Sequence, residues 1–168
     1  MMIQSQIRVR RARPADAKKI AAFINSALKG RKEVDDMAVI ERFGTVGFLL
    51  AERGETLVGM LGWQIENLVA RVTDFLIGPA DEREPIGRAL LTQMEREARV
   101  LECEAAILFL PRPTPPALVR FYRNFGYEPH IVSELPKAWQ EAAQEGGLQA
   151  NETVMLKKLR EKRVLRPI

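Results

Sequence analysis

"FLIGPADEREPIGRALLTQMEREA", Phe75 to Ala98, passes from an apolar run through an acidic loop into a helical pattern. Phe75, Leu76 and Ile77 close a strand, and Pro79 breaks it because proline has no N–H to give a ladder. Pro85 suits the first turn of the following helix, where a missing N–H is no loss. Ile86, Leu90, Met94 and Ala98 then recur at helical spacing as one apolar stripe. Arg88, Glu95, Arg96 and Glu97 read as lying largely outside it. A glycine such as Gly87, at the mouth of a helix that follows a strand, often marks a phosphate-binding turn. There the first-turn N–H groups and the helix dipole favour negative charge. Asp81, Glu82 and Glu84 crowd this turn and oppose that use.

Outward from this stretch the elements are short and well punctuated. "IRVRRA", Ile7 to Ala12, alternates apolar and polar residues as a half-buried strand. Pro14 and Asp16 announce a helix carrying Ala17, Ile20, Ile24 and Leu28, with Gly30 as its stop. A shorter helix is expected over Val34 to Phe43. "VGFLLAE" and "TLVGMLGWQIE" form a hairpin about Arg53-Gly54-Glu55, and Asn67 turns the chain into "LVARVTDFLIG". Downstream, "EAAILFLP" is apolar throughout, as a central strand demands. "ALVRFYRNF" is a short helix closed by Gly126, "EPHIVSEL" a further strand, and "PKAWQEAAQE" a helix ended by Gly146 and Gly147. "ETVMLKKL" closes the chain as a strand. Early hairpins imply antiparallel pairing, and later strands separated by helices imply some parallel pairing. The expectation is an α/β fold with a single mixed, mostly antiparallel sheet flanked by helices. It forms one domain over 1–168, with a core at about 7–159 and a basic tail at 160–168.

Composition narrows the class. At 168 residues the chain suits one domain. The longest apolar run, Ala105 to Leu110, is far too short to span a bilayer, so no membrane role is expected. The N-terminus has arginines with no apolar block behind them, which argues against a secretory signal. A single cysteine, Cys103, fits a reducing compartment, so a cytoplasmic protein is expected. The net charge of +4 gathers at the two ends, in "RVRRAR" and "KKLREKRVLR". No aromatics interleave there to stack bases, so these runs read as a strand edge and a solvated tail rather than a nucleic-acid grip. One histidine and one cysteine offer no metal cluster of those residues.

The order of elements and several local motifs resemble the GNAT superfamily of acyl-coenzyme A-dependent N-acyltransferases. The resemblance runs from about Ile7 to Leu159. Its most specific piece is "ALVRFYRNFGYEP", Ala117 to Pro129, similar to the family's late helix and turn. "FLIGP" with "IGRALLTQMEREA" looks like its central strand, phosphate loop and following helix. "ETLVGMLGW" resembles the preceding hairpin strand, and "ETVMLKKL" the closing one.

The resemblance implies acetyl-coenzyme A as co-substrate, with no metal. Its pantetheine arm would lie along main chain at Phe75, Leu76 and Ile77, where two parallel strands splay. Its pyrophosphate would meet Arg83, Pro85, Ile86, Gly87, Arg88 and Ala89. The family's loop reads Gln or Arg, two residues, Gly, one residue, then Gly or Ala. Ending on Gly87, that register puts Glu82 first and Pro85 at the middle glycine; ending on Ala89, it puts Glu84 first. Either way an acid replaces the expected residue. Tyr122 matches the family's tyrosine and is the candidate general acid for the leaving thiolate. Glu66 and Asp74 are the carboxylates available as general base. His130 and Cys103 are read as structural. The expected activity is transfer of acetyl to a small-molecule or peptide amine by direct attack in a ternary complex. The alternative is a non-catalytic domain of this fold that binds a ligand or protein and has weakened coenzyme A affinity. The closing strands leave a homodimer open.

Overall fold

The computed structural model describes residues 6–29 and 33–160. Seven strands join one mixed sheet in the order β1-β2-β3-β4-β5-β7-β6. They are β1 Ile7–Arg11, β2 Gly47–Arg53, β3 Thr56–Glu66, β4 Val69–Ile77, β5 Ala105–Phe109, β6 Glu128–Ile131 and β7 Thr153–Lys158. Helices α1 Ala17–Ala27, α2 Asp36–Arg42, α3 Arg83–Val100, α4 Pro116–Arg123 and α5 Lys137–Glu145 flank it. β1 with β2, β2 with β3, β5 with β7 and β6 with β7 pair antiparallel, while β4 and β5 pair parallel. The mixed, mostly antiparallel sheet expected from the sequence is the one observed. The chain forms two compact units, 1–63 with 74–93, and 64–73 with 94–168.

In the first unit, α1 and α2 cover β2 and β3. Ile20, Val39, Phe48, Leu50 and Met60 make a core there, each exposed by 4% or less. α1 is started by a 3-10 turn at Pro14–Asp16, where the Arg13 N–H donates to the Asp16 carboxylate at 2.8 Å. It ends at Ala27, and Lys29 takes the left-handed conformation (φ 50); the expected stop, Gly30, lies outside the described residues. α2 is capped by Asp35, whose side chain accepts from the Ala38 N–H at 2.9 Å. On β3, Gly59 is needed for close approach: a Cβ there would meet Ile86 Cγ2 at 2.7 Å.

In the second unit, α5 lies on a core of Val69, Ile107, Trp139, Ala142 and Val154. The turn into β4 puts both Asn67 (φ 52) and Leu68 (φ 62) in the left-handed region, as tight hairpins require. β6 is shorter than expected. It stops at Ile131, and Val132–Glu134 form a 3-10 turn, because Pro136 holds Leu135 extended and the chain must turn to enter α5.

α3 begins earlier than the sequence suggested. A 3-10 turn at Ala80–Glu82 runs directly into a helix that starts at Arg83, so Pro85 lies inside the first turn rather than at its edge. Asp81, Glu82 and Glu84 explain this, since acids at a helix start stabilise it through the dipole. Ile86, Leu90, Met94 and Ala98 are fully buried, as the stripe predicted. Glu95 departs from the expectation: it is 5% exposed.

Candidate active site

The β4/β5 ladder runs from Val69↔Ala105 to Val72↔Leu108, whereas β4 itself continues to Ile77. Phe75, Leu76 and Ile77 fall on that continuation, each half-buried. They belong to the same unit as the start of α3, so the first unit brings together the residues expected to hold a carrier. Arg83, Pro85 and Arg88 are exposed there, Ala89 is half-buried, and Ile86 and Gly87 are buried.

Two of the three loop acids have counter-charges. Glu82 pairs with Arg53, and Glu84 pairs with Arg88 one turn on at 3.2 Å. The second pair is more than half exposed and contributes little. The first is better shielded and neutralises Glu82, the residue just before the helix. The early start of α3 also corrects an expectation about amides. A helix beginning at Arg83 spends the Ile86 and Gly87 N–H groups on carbonyls one turn back, so they cannot serve as its open donors.

Asp74 was expected as a possible base. The structure instead gives both its oxygens to Arg42, with Nη1 donating at 3.1 Å and Nη2 at 2.5 Å. This two-pronged pair ties α2 to β4 and uses the carboxylate structurally. The Arg42 guanidinium also stands 5.1 Å from the Phe48 ring centre. Glu66, at the end of β3 in the other unit, is half-buried.

Tyr122 sits on α4 and is 8% exposed. Burial pushes its phenol up to about 12. The turn behind it wraps its carbonyl, which accepts from the Phe125 N–H at 3.1 Å and the Tyr127 N–H at 3.2 Å. Gly126 makes that turn at φ +93, a conformation side chains rarely adopt.

Beneath the turn lies a polar group that pattern reading missed. Glu95 of α3 accepts from the Tyr127 hydroxyl at 2.9 Å and from Lys157 Nζ of β7 at 2.8 Å. Lys157 also donates to the Phe125 carbonyl at 3.0 Å. Burial and the Glu95 charge both raise the Tyr127 phenol well above its ordinary value. The signal was present in the spacing, because Glu95 follows Leu91 by four residues and precedes Ala98 by three, on the buried side of the helix.

Cys103 is fully buried, and burial pushes its thiol up to about 11, so it packs as a small core residue. His130 lines a cleft of about 380 Å³ with Glu134, Trp139 and Lys158. No described helix is long and apolar enough to cross a membrane.

Residues 17–127 match the acetyltransferase (GNAT) family. The chain belongs to that family. A GNAT-family acetyltransferase from Staphylococcus aureus Mu50 superposes with a TM-score of 0.70 at 16% identity, covering 92% of this chain and 100% of the other. A putative acetyltransferase from Salmonella typhimurium, yncA, solved with its cofactor acetyl-CoA, superposes at 0.65 with 18% identity, covering 94% and 96%. The PaiA N-acetyltransferase from Thermoplasma acidophilum, solved with coenzyme A, superposes at 0.67 with 17% identity, covering 91% and 99%. At these identities the likeness is one of fold. No curated protein matches the sequence. The GNAT resemblance read from "ALVRFYRNFGYEP" and "FLIGP…IGRALLTQMEREA" is therefore borne out; the family match takes in the second segment whole and the first as far as Tyr127.

Proposed function

We propose that this GNAT protein transfers an acetyl group from acetyl-CoA to an amine by direct attack in a ternary complex. The observation that carries this reading is the extent of the family match, residues 17–127, which includes the β4 terminus, the start of α3 and Tyr122. When bound, the co-substrate supplies an activated thioester. Phe75 to Ile77 would hold its arm, and the α3 start around Arg83, Pro85 and Arg88 would meet its pyrophosphate, with Ile86, Gly87 and Ala89 behind. The pairing of Glu82 with Arg53 supports the fit, since it removes one of the charges that would repel a diphosphate. The dipole of α3 then favours the anion.

Tyr122 holds the proton that a departing thiolate takes. Its phenol stays protonated at neutral pH and offers that proton without first releasing it to water. Glu66 is the better of the two carboxylates as base, because Asp74 is engaged by Arg42. The protein acts in the cytoplasm on a small-molecule or peptide amine.

A second reading has support of its own. Pro85 removes one N–H from the first turn, and Gly87's amide is spent within the helix. These features favour weakened coenzyme A affinity and a binding role without catalysis. Thiol release from acetyl-CoA in the presence of pooled primary amines separates the two. Catalysis predicts acceptor-dependent release, with Tyr122→Phe lowering kcat on the order of 10²-fold at nearly unchanged KM for acetyl-CoA. Release that never exceeds the acceptor-free rate favours the binding role.

A further inference from the structure

The cleft of about 380 Å³ beside His130 lies wholly within the second unit. Leu156 and Trp139, each 3% exposed, form its floor, with Pro136 beside them. The Trp139 indole N–H donates to the Glu104 carboxylate at 3.3 Å, so the ring's polar edge is engaged and its carbon surface is what it offers a ligand. His130, Lys158, Arg160 and Glu134 stand around that floor. β6 and β7 pair with His130 opposite Val154 and Glu128 opposite Leu156. Side chains alternate along a strand, so His130, Leu156 and Lys158 share one face of the sheet. Basic groups from two strands thus meet over apolar ground.

The wall opposite is fixed. In the 3-10 turn at Val132–Glu134, the Val132 N–H donates to the Glu152 carbonyl and the Ser133 N–H to the Ala150 carbonyl, both at 2.8 Å. Gln140 of α5 donates to the Ser133 and Leu135 carbonyls at 3.1 and 2.7 Å. A preformed cleft spares a ligand the cost of ordering its walls. Lys158 and Arg160 against Glu134 leave a surplus of positive charge, even before His130 is counted. An anion that enters offsets the repulsion between the cations, whereas a cation adds to it. The arginine fork matches a carboxylate with two parallel hydrogen bonds, and the lysine adds a point charge. A bare anion would leave Leu156 and Trp139 wet, so the ligand needs an apolar body as well. At roughly 30 Å³ per water-sized group, the space suits about a dozen non-hydrogen atoms.

We propose that this cleft binds a small monocarboxylate with an apolar body, of the arylalkanoate kind, with its carboxylate between Lys158 and Arg160 and its body over Leu156 and Trp139. None of the residues assigned to the carrier or to proton transfer lines the cleft, so the inference is independent of the acetyltransferase reading.

An NMR titration of the full chain tests it, because His130 is the sole histidine and its imidazole signals identify themselves. The probes are 3-phenylpropanoate, its neutral amide, phenethylamine and acetate, all at one pH. 3-Phenylpropanoate should shift the His130 signals saturably, with a Kd of about 1 mM or tighter for a ligand of this size. The amide and the amine should bind about tenfold more weakly for want of the charged hydrogen bonds. Acetate should also be about tenfold weaker, for want of apolar contact. Lys158 is exposed and Arg160 half-buried, so Lys158→Gln and Arg160→Gln should leave the fold intact. Each should weaken the acid about tenfold and leave the amide unchanged. An amide or an acetate that matches the acid would overturn the proposal, as would variants that bind the acid like the unsubstituted chain. So would His130 signals that fail to saturate at roughly ten times the expected Kd.

Discussion

Burial pushes the Tyr122 phenol up to about 12, which limits the pH range over which it can lose its proton. An acid acts while protonated and fails as pH rises through its pKa, so Tyr122 sets no falling limb in kcat below about pH 11. A kcat profile that is flat from pH 8 to 10 is expected, and a decline centred below pH 10 would point to a different acid. At the other extreme, hydrogen bonding to Arg10 holds the Asp16 carboxyl down at about 2, from an ordinary 3.8. Arg10 donates to both Asp16 oxygens at 2.9 Å and to Glu52 at 2.6 Å. Because the folded pKa is depressed, the stabilisation is fully present above about pH 4 and is lost as pH falls through 2. Asp16→Asn should cost about 1 kcal/mol at pH 7 after solvent screening, with the difference shrinking below pH 4. Urea unfolding at both ends of that window checks it. The sequence signalled a helix start at Asp16, but the arginine that completes the pair lies on a strand and gave no local cue.

Between elements, the Glu95–Tyr127–Lys157 group fastens α3 to β7 and to the turn that follows Tyr122. Lys157→Met leaves the buried Glu95 carboxylate with only the half-exposed Arg99, at 3.9 Å, as its cation and should cost about 3 kcal/mol. Tyr127→Phe removes only one donor and should cost about 1–2 kcal/mol. Denaturant unfolding of the two variants should preserve that ranking; equal losses would mean that Glu95 does not depend on the ammonium. Helix faces and strand identities in this part of the chain were legible because their periods are strong: Ile86, Leu90, Met94 and Ala98 repeat without interruption. The burial of Glu95 was less so, since an acid beside arginines reads as a solvated face. The start of α3 was misjudged for a related reason. Proline at a first turn points to Pro85, whereas Asp81, Glu82 and Glu84, which favour the positive end of a helix, bring the start back to Arg83.

Across the whole molecule, the neighbours β2, β3 and β4 follow from tight turns at Gly54 and Asn67 that the sequence displays well, whereas the insertion of β7 between β5 and β6 is not written in the connections. Sites built from distant residues were the part that did not show. His130 reaches the same cleft as Leu156 and Lys158 because β6 and β7 pair antiparallel with His130 opposite Val154, and no spacing along the chain encodes that register. The charge pattern was readable in part: Arg10, from the basic N-terminal run, turns inward to Asp16 and Glu52, while the end of the C-terminal run lies outside the described residues. Acetyl transfer by this protein depends above all on acetyl-CoA binding, and a thermal titration of the full chain with that ligand tests it most directly. At 100 times the dissociation constant, binding should add about 2.7 kcal/mol and raise Tm by roughly 5–10 °C. A midpoint unmoved at millimolar acetyl-CoA would contradict it.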